Sequence, residues 1–201
     1  TWVLGDTASL VGNAQYFNGT NSRVNTGINV SATTPTELYV EATVIVSNLL
    51  GIDVFVSQNN SGQSAFEIRT LNGKPGFGMG ESGGAFTSIS SPDDIPLNVP
   101  VVIRGEWNGS TKKIFVDGVE KGSTAQTSIN GSATTSAYVG SRPNSSQLAE
   151  GLIYAVSIDD QSGPVLAYTG LGATPWNDTI GTNNGTPSNL VTFTGQGFDG
   201  T

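Results

Sequence analysis

The sequence has 201 residues, a length that suits one large all-β domain or two small domains. Only 12% of the residues are charged and the net charge is −8. This acidic balance argues against a nucleic acid or an anionic membrane surface as partner, because both require a basic patch. Histidine and cysteine are absent, which excludes Ser-His-Asp and Cys-His catalysis, zinc binding through those side chains, and disulfide bonds.

The predicted elements are almost all strands, since no stretch carries apolar residues at helical spacing. Residues 37–47 alternate apolar and polar side chains, as a half-buried antiparallel strand does. Residues 65–70 and 101–108 show the same alternation, with Trp107 on the apolar side, and residues 152–158 predict a further strand. No apolar run is long enough to cross a membrane as a helix.

Asn-Gly and Asp-Gly pairs punctuate these strands and favour tight hairpin turns; they stand at positions 72–73, 108–109, 117–118 and 130–131. Many strands at regular spacing indicate an antiparallel jelly-roll β-sandwich with almost no helix. No break in composition divides the chain, so we predict one domain over residues 1–201. Because the sequence begins without methionine, we expect a processed chain or a piece of a longer surface protein.

The order of these motifs resembles the laminin-G-like members of the concanavalin A-like lectin/glucanase superfamily. The stretch 14–24, with Phe17, Asn18, Gly19 and Thr20, is similar to the family's opening strand. The segment 101–119, with Phe-Val-Asp-Gly at residues 115–118, is similar to its most recognisable hairpin, and 138–153 to its closing strands. The resemblance covers about residues 14–160 and implies the sandwich fold.

The resemblance also raises the question of calcium, the metal that oxygen ligands alone would select. The family often places Asp-Glu directly after the element that matches residues 151–153, but this sequence has Tyr154 and Ala155 there. Asp159 and Asp160 are the candidate calcium ligands that remain, and their alternative role is a polar turn.

A saccharide-binding face is the main candidate site, because lectin-like relatives hold sugars on one sheet or its rim loops. Carboxylates and guanidinium groups hydrogen-bond to sugar hydroxyls, and aromatic rings stack on sugar rings. The candidate ligand-binding residues are Tyr39, Glu41, Glu67, Arg69, Arg104, Glu106 and Trp176. The alternatives are cross-strand ion pairs on a solvated sheet face, and for Trp176 a plug at the edge of the sandwich.

Catalysis is a further possibility for these carboxylates, since paired carboxylates also make glycosidases. The Glu-x-Asp-x-x-Glu string of the superfamily's glucanases is absent. Glu37 and Glu41 stand roughly 13 Å apart along a strand at 3.3 Å per residue, too far for that chemistry. Glu41, Glu67 and Glu106 could act as the catalytic carboxylates of a glycosidase only if they converged across strands.

The function predicted from the sequence is a non-catalytic, extracellular or virion-surface module that binds a glycan, with calcium as its one candidate cofactor. The alternative is a structural domain of a virion, tail fibre, adhesin or appendage that contacts sister subunits. A glycan-active enzyme is the third hypothesis.

Overall fold

The computed structural model describes residues 14–60, 63–144, 146–160, 163–169, 178–189 and 191–192. These residues form strands, turns and one short 3-10 turn, Val30–Thr33. The strands are β1 (Gln15–Asn18), β2 (Arg23–Asn25), β3 (Leu38–Val46), β4 (Ile52–Asn60), β5 (Gln63–Leu71), β6 (Lys74–Gly80), β7 (Phe86–Ser90), β8 (Val101–Trp107), β9 (Thr111–Val116), β10 (Val119–Ala125), β11 (Tyr138–Val139), β12 (Glu150–Asp160), β13 (Gly163–Thr169), β14 (Thr186–Ser188) and β15 (Val191–Thr192).

Two antiparallel sheets make up the described fold. Sheet A runs in the order β10-β9-β8-β3-β12-β1-β15, and β13 also pairs with β12. Sheet B runs in the order β14-β2-β11-β4-β5-β6-β7. The predicted jelly-roll sandwich with almost no helix is confirmed.

The hairpin turns follow from the residues that the sequence places in them. Asn72 and Gly73 join β5 to β6 with φ of 49° and 78°, and Asp117 and Gly118 join β9 to β10 with φ of 48° and 79°. Left-handed backbone at both central residues is the geometry of a type I′ turn, which Asn-Gly and Asp-Gly adopt readily. The pair at 108–109 joins β8 to β9 as predicted, whereas the pair at 130–131 lies in the long connection between β10 and β11.

The core lies between the two sheets. Every second residue of β3 and β8 is buried, which confirms the predicted alternation. Trp107 is buried and its indole Nε1 donates a hydrogen bond of 2.7 Å to the carbonyl oxygen of Gln126, so it is a core residue as expected. The largest fully buried apolar side chains are Phe17, Phe55, Phe66, Ile68, Phe77, Met79, Ile95, Ile103, Ile114 and Tyr168.

The outer faces of the two sheets differ in burial. Sheet A leaves the alternate residues of β3, β8 and β12 half-exposed. In sheet B, β4 and β6 are buried on both faces over most of their length. Gly78 contributes to this, because the ring of Phe86 lies against its Cα, where a Cβ would come within 2.3 Å of Phe86 Cζ.

A buried lysine joins the two sheets near one edge. Lys112 on β9 of sheet A has no exposed surface. Its Nζ donates to the carbonyl oxygen of Thr87 (2.8 Å), to Thr87 Oγ1 (2.5 Å) and to Gln126 Oε1 (3.0 Å). Thr87 belongs to β7 of sheet B. Burial lowers the pKa of Lys112 to about 8, and the charge of Glu81 only partly offsets this effect.

The lowered pKa predicts that alkaline pH stabilises the wild type relative to Lys112→Met, by on the order of 1–3 kcal/mol between pH 8 and 10.4. In that window the folded chain has released the Lys112 proton while the unfolded chain keeps it, so stability rises with pH. Below pH 8 both states hold the proton and the desolvated charge lowers stability. Urea unfolding at several pH values measures the difference. Lys74→Met, at a half-exposed lysine, is the control, and equal pH slopes for wild type and Lys112→Met would contradict the prediction.

Candidate functional site

The predicted ligand-binding residues fall on two different sheets. Tyr39 and Glu41 lie on β3, and Arg104 and Glu106 lie beside them on β8, with Tyr39 opposite Glu106 and Glu41 opposite Arg104. Glu67, with Arg69, lies on β5, which pairs with β4 and β6 in sheet B. Glu41, Glu67 and Glu106 therefore do not converge, since Glu67 stands in the other sheet. Trp176 lies outside the described residues.

The first group forms one connected patch on the outer face of sheet A, which we call face A (Tyr39, Glu41, Arg104, Glu106 and Phe115). The Arg104 guanidinium carbon lies 5.4 Å from the centre of the Tyr39 ring and 4.3 Å from that of Phe115. Its Nε stands 3.0 Å from Glu106 Oε1, within ion-pair range although not aligned for a hydrogen bond. The Tyr39 hydroxyl donates to Glu41 Oε2 over 3.2 Å. Face A is thus a row of rings and charges held by mutual contacts.

A pocket adjoins face A where β3, β8 and β12 lie side by side, and we call it the end pocket. Its volume is about 300 Å³. It is lined by Glu37, Leu38, Tyr39, Glu106, Trp107, Asn108, Asp159 and Asp160. Four carboxylates, one amide and a tyrosine thus surround a space at the lower end of the range for ligand sites. The sequence-based candidates Tyr39, Glu106, Asp159 and Asp160 meet here.

The surroundings of the end pocket raise the pKa of two side chains that line it, Asp159 and Tyr39. Burial raises the pKa of Asp159, and the negative charge of Asp160 raises it further. Burial also raises the pKa of the Tyr39 hydroxyl, with the charge of Glu41 next in effect. Tyr39 therefore stays protonated and serves as a hydrogen-bond donor, while Asp159 holds a proton to higher pH than an ordinary aspartate.

Asp159 and Asp160, the candidate calcium ligands, have different surroundings. Asp160 is buried and accepts a hydrogen bond of 2.9 Å from Thr33 Oγ1, whereas Asp159, the preceding residue of the strand, is half-exposed. Calcium takes six to eight oxygen ligands. No group of three or more acidic side chains in the described ranges is arranged to hold a metal. Calcium binding by Asp159 and Asp160 stays a prediction.

Glu67 was expected on an exposed face, but its carboxylate is completely buried. It accepts hydrogen bonds from Arg69 Nη1 (2.9 Å), from Arg142 Nε (2.6 Å) and from Arg142 Nη2 (2.9 Å). Asn59 Nδ2 and Ser57 Oγ donate to its Oε2 over 2.9 and 3.3 Å. The expectation of exposure was wrong because Arg142 covers the carboxylate from a segment 75 residues away.

Three residues near the outer face of sheet B, namely Arg142, Phe86 and Tyr138, were not predicted from the sequence. Arg142 follows β11 in a loop, so no periodicity signals it. Phe86 lies beneath Arg69, whose guanidinium carbon is 5.9 Å from its ring centre. Tyr138 on β11 stands at the same distance from the guanidinium carbon of Arg23. The sequence shows these arginine and aromatic residues, but it does not show that they are neighbours. Only the pairing of β2, β11, β4, β5, β6 and β7 brings them together.

Two antiparallel sheets that pack face to face, with polar and aromatic residues on their outer faces, define a lectin-like β-sandwich. A family model described as the concanavalin A-like lectin/glucanases superfamily, of laminin G type, matches residues 18–162. The chain therefore belongs to this family, and the resemblance found over residues 14–160 is confirmed. A search of curated proteins finds no match.

Solved structures share the fold at low sequence identity. A candidate carbohydrate-binding protein from Bacteroides ovatus has a TM-score of 0.71 and 14% identity over 90% of this chain and 59% of its own. The carbohydrate-binding module CBM40 of the Ruminococcus gnavus IT-sialidase has a TM-score of 0.59 and 13% identity, over 75% and 91%. Domains LG4-5 of the mouse laminin α1 chain have a TM-score of 0.56 and 16% identity, over 83% and 46%. The chain thus spans just over half of the first relative and under half of the laminin segment.

The described residues include no helix that is long and apolar enough to cross a membrane.

The Glu67 network predicts a large loss of stability for Glu67→Gln, about 3–5 kcal/mol, because two guanidinium groups lose their buried counter-charge. Glu120→Gln is the matched control: it removes the same charge from an exposed ion pair with Lys113, which is worth roughly 0–1 kcal/mol. Urea unfolding of both variants measures the two losses. Similar small losses in both would show that the buried network does not stabilise the fold.

Proposed function

We propose that this protein is a non-catalytic module that binds a glycan in the end pocket and along face A. The observation that carries the proposal is the Tyr39 ring, which borders a pocket lined by carboxylates and one amide. A sugar ring offers a weakly polar face for an aromatic ring and hydroxyl groups that donate to carboxylate oxygens. A pocket of about 300 Å³ suits a small part of a glycan.

Two of the structural relatives are carbohydrate-binding proteins by description, which supports this proposal. One is a candidate carbohydrate-binding protein, and another is a carbohydrate-binding module of a sialidase that was also solved with sialyllactose. At these identities the likeness itself shows only the fold. An extracellular location accompanies the proposal, because glycans are displayed on cell surfaces. A role in virions, fibres or other subunit assemblies stays a prediction.

Neutral sugars are the first ligands to test in the end pocket. Glu37, Glu106, Asp159 and Asp160 line it together, and no lysine or arginine does. An acidic sugar would meet like charges there, whereas a neutral sugar would donate hydroxyl protons to carboxylate oxygens.

One observation favours hydrolysis as a second candidate function. Glu106 and Asp159 both stand opposite Tyr39 on the strands that flank β3. Two strand spacings of about 4.8 Å put their Cα atoms roughly 10 Å apart, so side chains that lean toward each other would bring the carboxyl groups into the range of roughly 6.5–9.5 Å used by inverting glycosidases. The raised pKa of Asp159 suits a general acid. The missing glucanase string leads us to rank binding first.

The binding proposal predicts that one class in a panel of neutral bacterial and algal oligosaccharides raises the melting temperature. At a concentration of about 100 times Kd, the gain in unfolding free energy is about 2.7 kcal/mol. Tyr39→Ala is expected to weaken this binding about tenfold or more, which is roughly 1.4 kcal/mol, while Tyr39→Phe keeps the ring and most of the affinity. Isothermal titration calorimetry measures both variants.

Two further variants separate the outcomes. Glu106→Gln is expected to weaken binding, and Glu120→Gln, with the same change of charge outside the pocket, is expected to leave it unchanged. Absence of binding by every neutral oligosaccharide would overturn the proposal for the end pocket. Release of reducing ends that stops in Glu106→Gln or Asp159→Asn would replace it with a hydrolase.

Calcium is tested in the same melting experiment. The sequence-based prediction is that calcium raises the melting temperature, that a chelator reverses the rise, and that Asp159→Asn abolishes it. An unchanged melting temperature in calcium and in chelator would remove Asp159 and Asp160 as ligands.

A further inference from the structure

Sheet B carries a row of polar side chains that the proposed glycan pocket does not use. Asn25, Tyr138, Ser57 and Glu67 stand side by side on β2, β11, β4 and β5. Their neighbours along the strands, Val24, Val139, Val56 and Ile68, are buried in the core. The four polar residues therefore share the outer face of sheet B, on the opposite side of the sandwich from face A.

The arginines of the protein are concentrated on this face. Three of its four arginines contribute: Arg23 from β2, Arg69 from β5, and Arg142 from the segment after β11. Glu67 is the acidic group among them, and it binds Arg69 and Arg142 together. Three guanidinium groups against one carboxylate leave an excess of two positive charges in a chain whose net charge is −8.

Arg23 differs from the other arginines in its surroundings. Arg69 and Arg142 are paired with Glu67, and Arg104 with Glu106. The half-buried Arg23 has its guanidinium carbon 5.9 Å from the centre of the Tyr138 ring, and none of the described residues pairs with it by hydrogen bond or salt bridge. On the same face, three strands away on β5, the Nε of Arg69 is buried without a hydrogen-bond partner among the described residues.

We infer that the outer face of sheet B is a second binding site, for a sugar that bears a carboxylate, centred on Arg23 and Tyr138. A guanidinium group binds a carboxylate through two parallel hydrogen bonds, and no described residue occupies the donors of Arg23. The Tyr138 ring beside it provides a surface for the weakly polar face of the same sugar. This site is independent of the end pocket, whose carboxylates suit neutral sugars.

A uronic acid oligosaccharide fits this face better than a nucleic acid does. The local excess of two positive charges is small and the chain as a whole is acidic, so a densely charged phosphate backbone meets repulsion beyond the patch. A sugar with one carboxylate per ring requires one guanidinium group at a time, and one ring on which to stack.

The experiment is calorimetric titration with trigalacturonic acid and with its neutral methyl ester. The wild type is expected to bind the acid at least tenfold more tightly than the ester. Arg23→Gln is expected to weaken binding of the acid tenfold or more. Arg23→Lys, which keeps the charge but loses the two-pronged geometry, is expected to recover only part of it. Tyr138→Ala is expected to weaken the acid and the ester alike.

Lys121→Gln is the matched control, since it removes one positive charge from β10 of sheet A, where Lys121 pairs with Asp93. Binding of the acid is expected to stay within about twofold of the wild type. Equal effects of Arg23→Gln and Lys121→Gln, equal affinity for acid and ester, or equal binding of a single-stranded DNA would each overturn the inference. Tyr39→Ala separates the two sites: it is expected to leave binding of the acid unchanged, whatever it does to neutral sugars.

Discussion

A carboxylate without exposed surface in the middle of a sheet face has to be neutralised by the protein itself, because water does not reach it. Glu67 meets this requirement with two guanidinium groups and two neutral donors. Arg69 comes from the same strand, but Arg142 comes from the segment between β11 and β12. The ion pair therefore ties that segment to β5 of sheet B. Tyr138 and Arg23, which lie on β11 and β2 of the same sheet, are half-buried.

The two outer faces divide the chemistry of the protein between them. Face A and its end pocket present carboxylates around Tyr39, and Arg104 is held there between two rings and Glu106. The outer face of sheet B holds its acidic group beneath two arginines. A ligand that donates hydrogen bonds suits the first face, and a ligand that carries negative charge suits the second. The core between the sheets keeps the two faces apart.

The sequence alone predicted the fold well because its signals are local. Alternation in β3 and β8, and Asn-Gly or Asp-Gly pairs in tight turns, depend on residues that are neighbours in the chain. The candidate site was predicted only in part. Tyr39, Glu41, Arg104 and Glu106 meet because their strands pair directly. Glu67 has the same alternating pattern, yet pattern does not distinguish a carboxylate that faces water from one that faces Arg142. Sheet membership likewise depends on long-range pairing, which the local pattern of β5 does not contain.

Charge placement explains how an acidic chain keeps a positive face. At physiological ionic strength electrostatic effects between exposed groups fade beyond about 8 Å, so a bound group responds mainly to its immediate neighbours. Among the described residues, the neighbours of Arg23 include Tyr138 and the strand residues Asn25 and Ser188. Glu67, the nearest carboxylate along the row, is already bound to two other arginines. The net charge of the chain therefore governs how a distant polyanion approaches, whereas the local arrangement governs what is held at the surface.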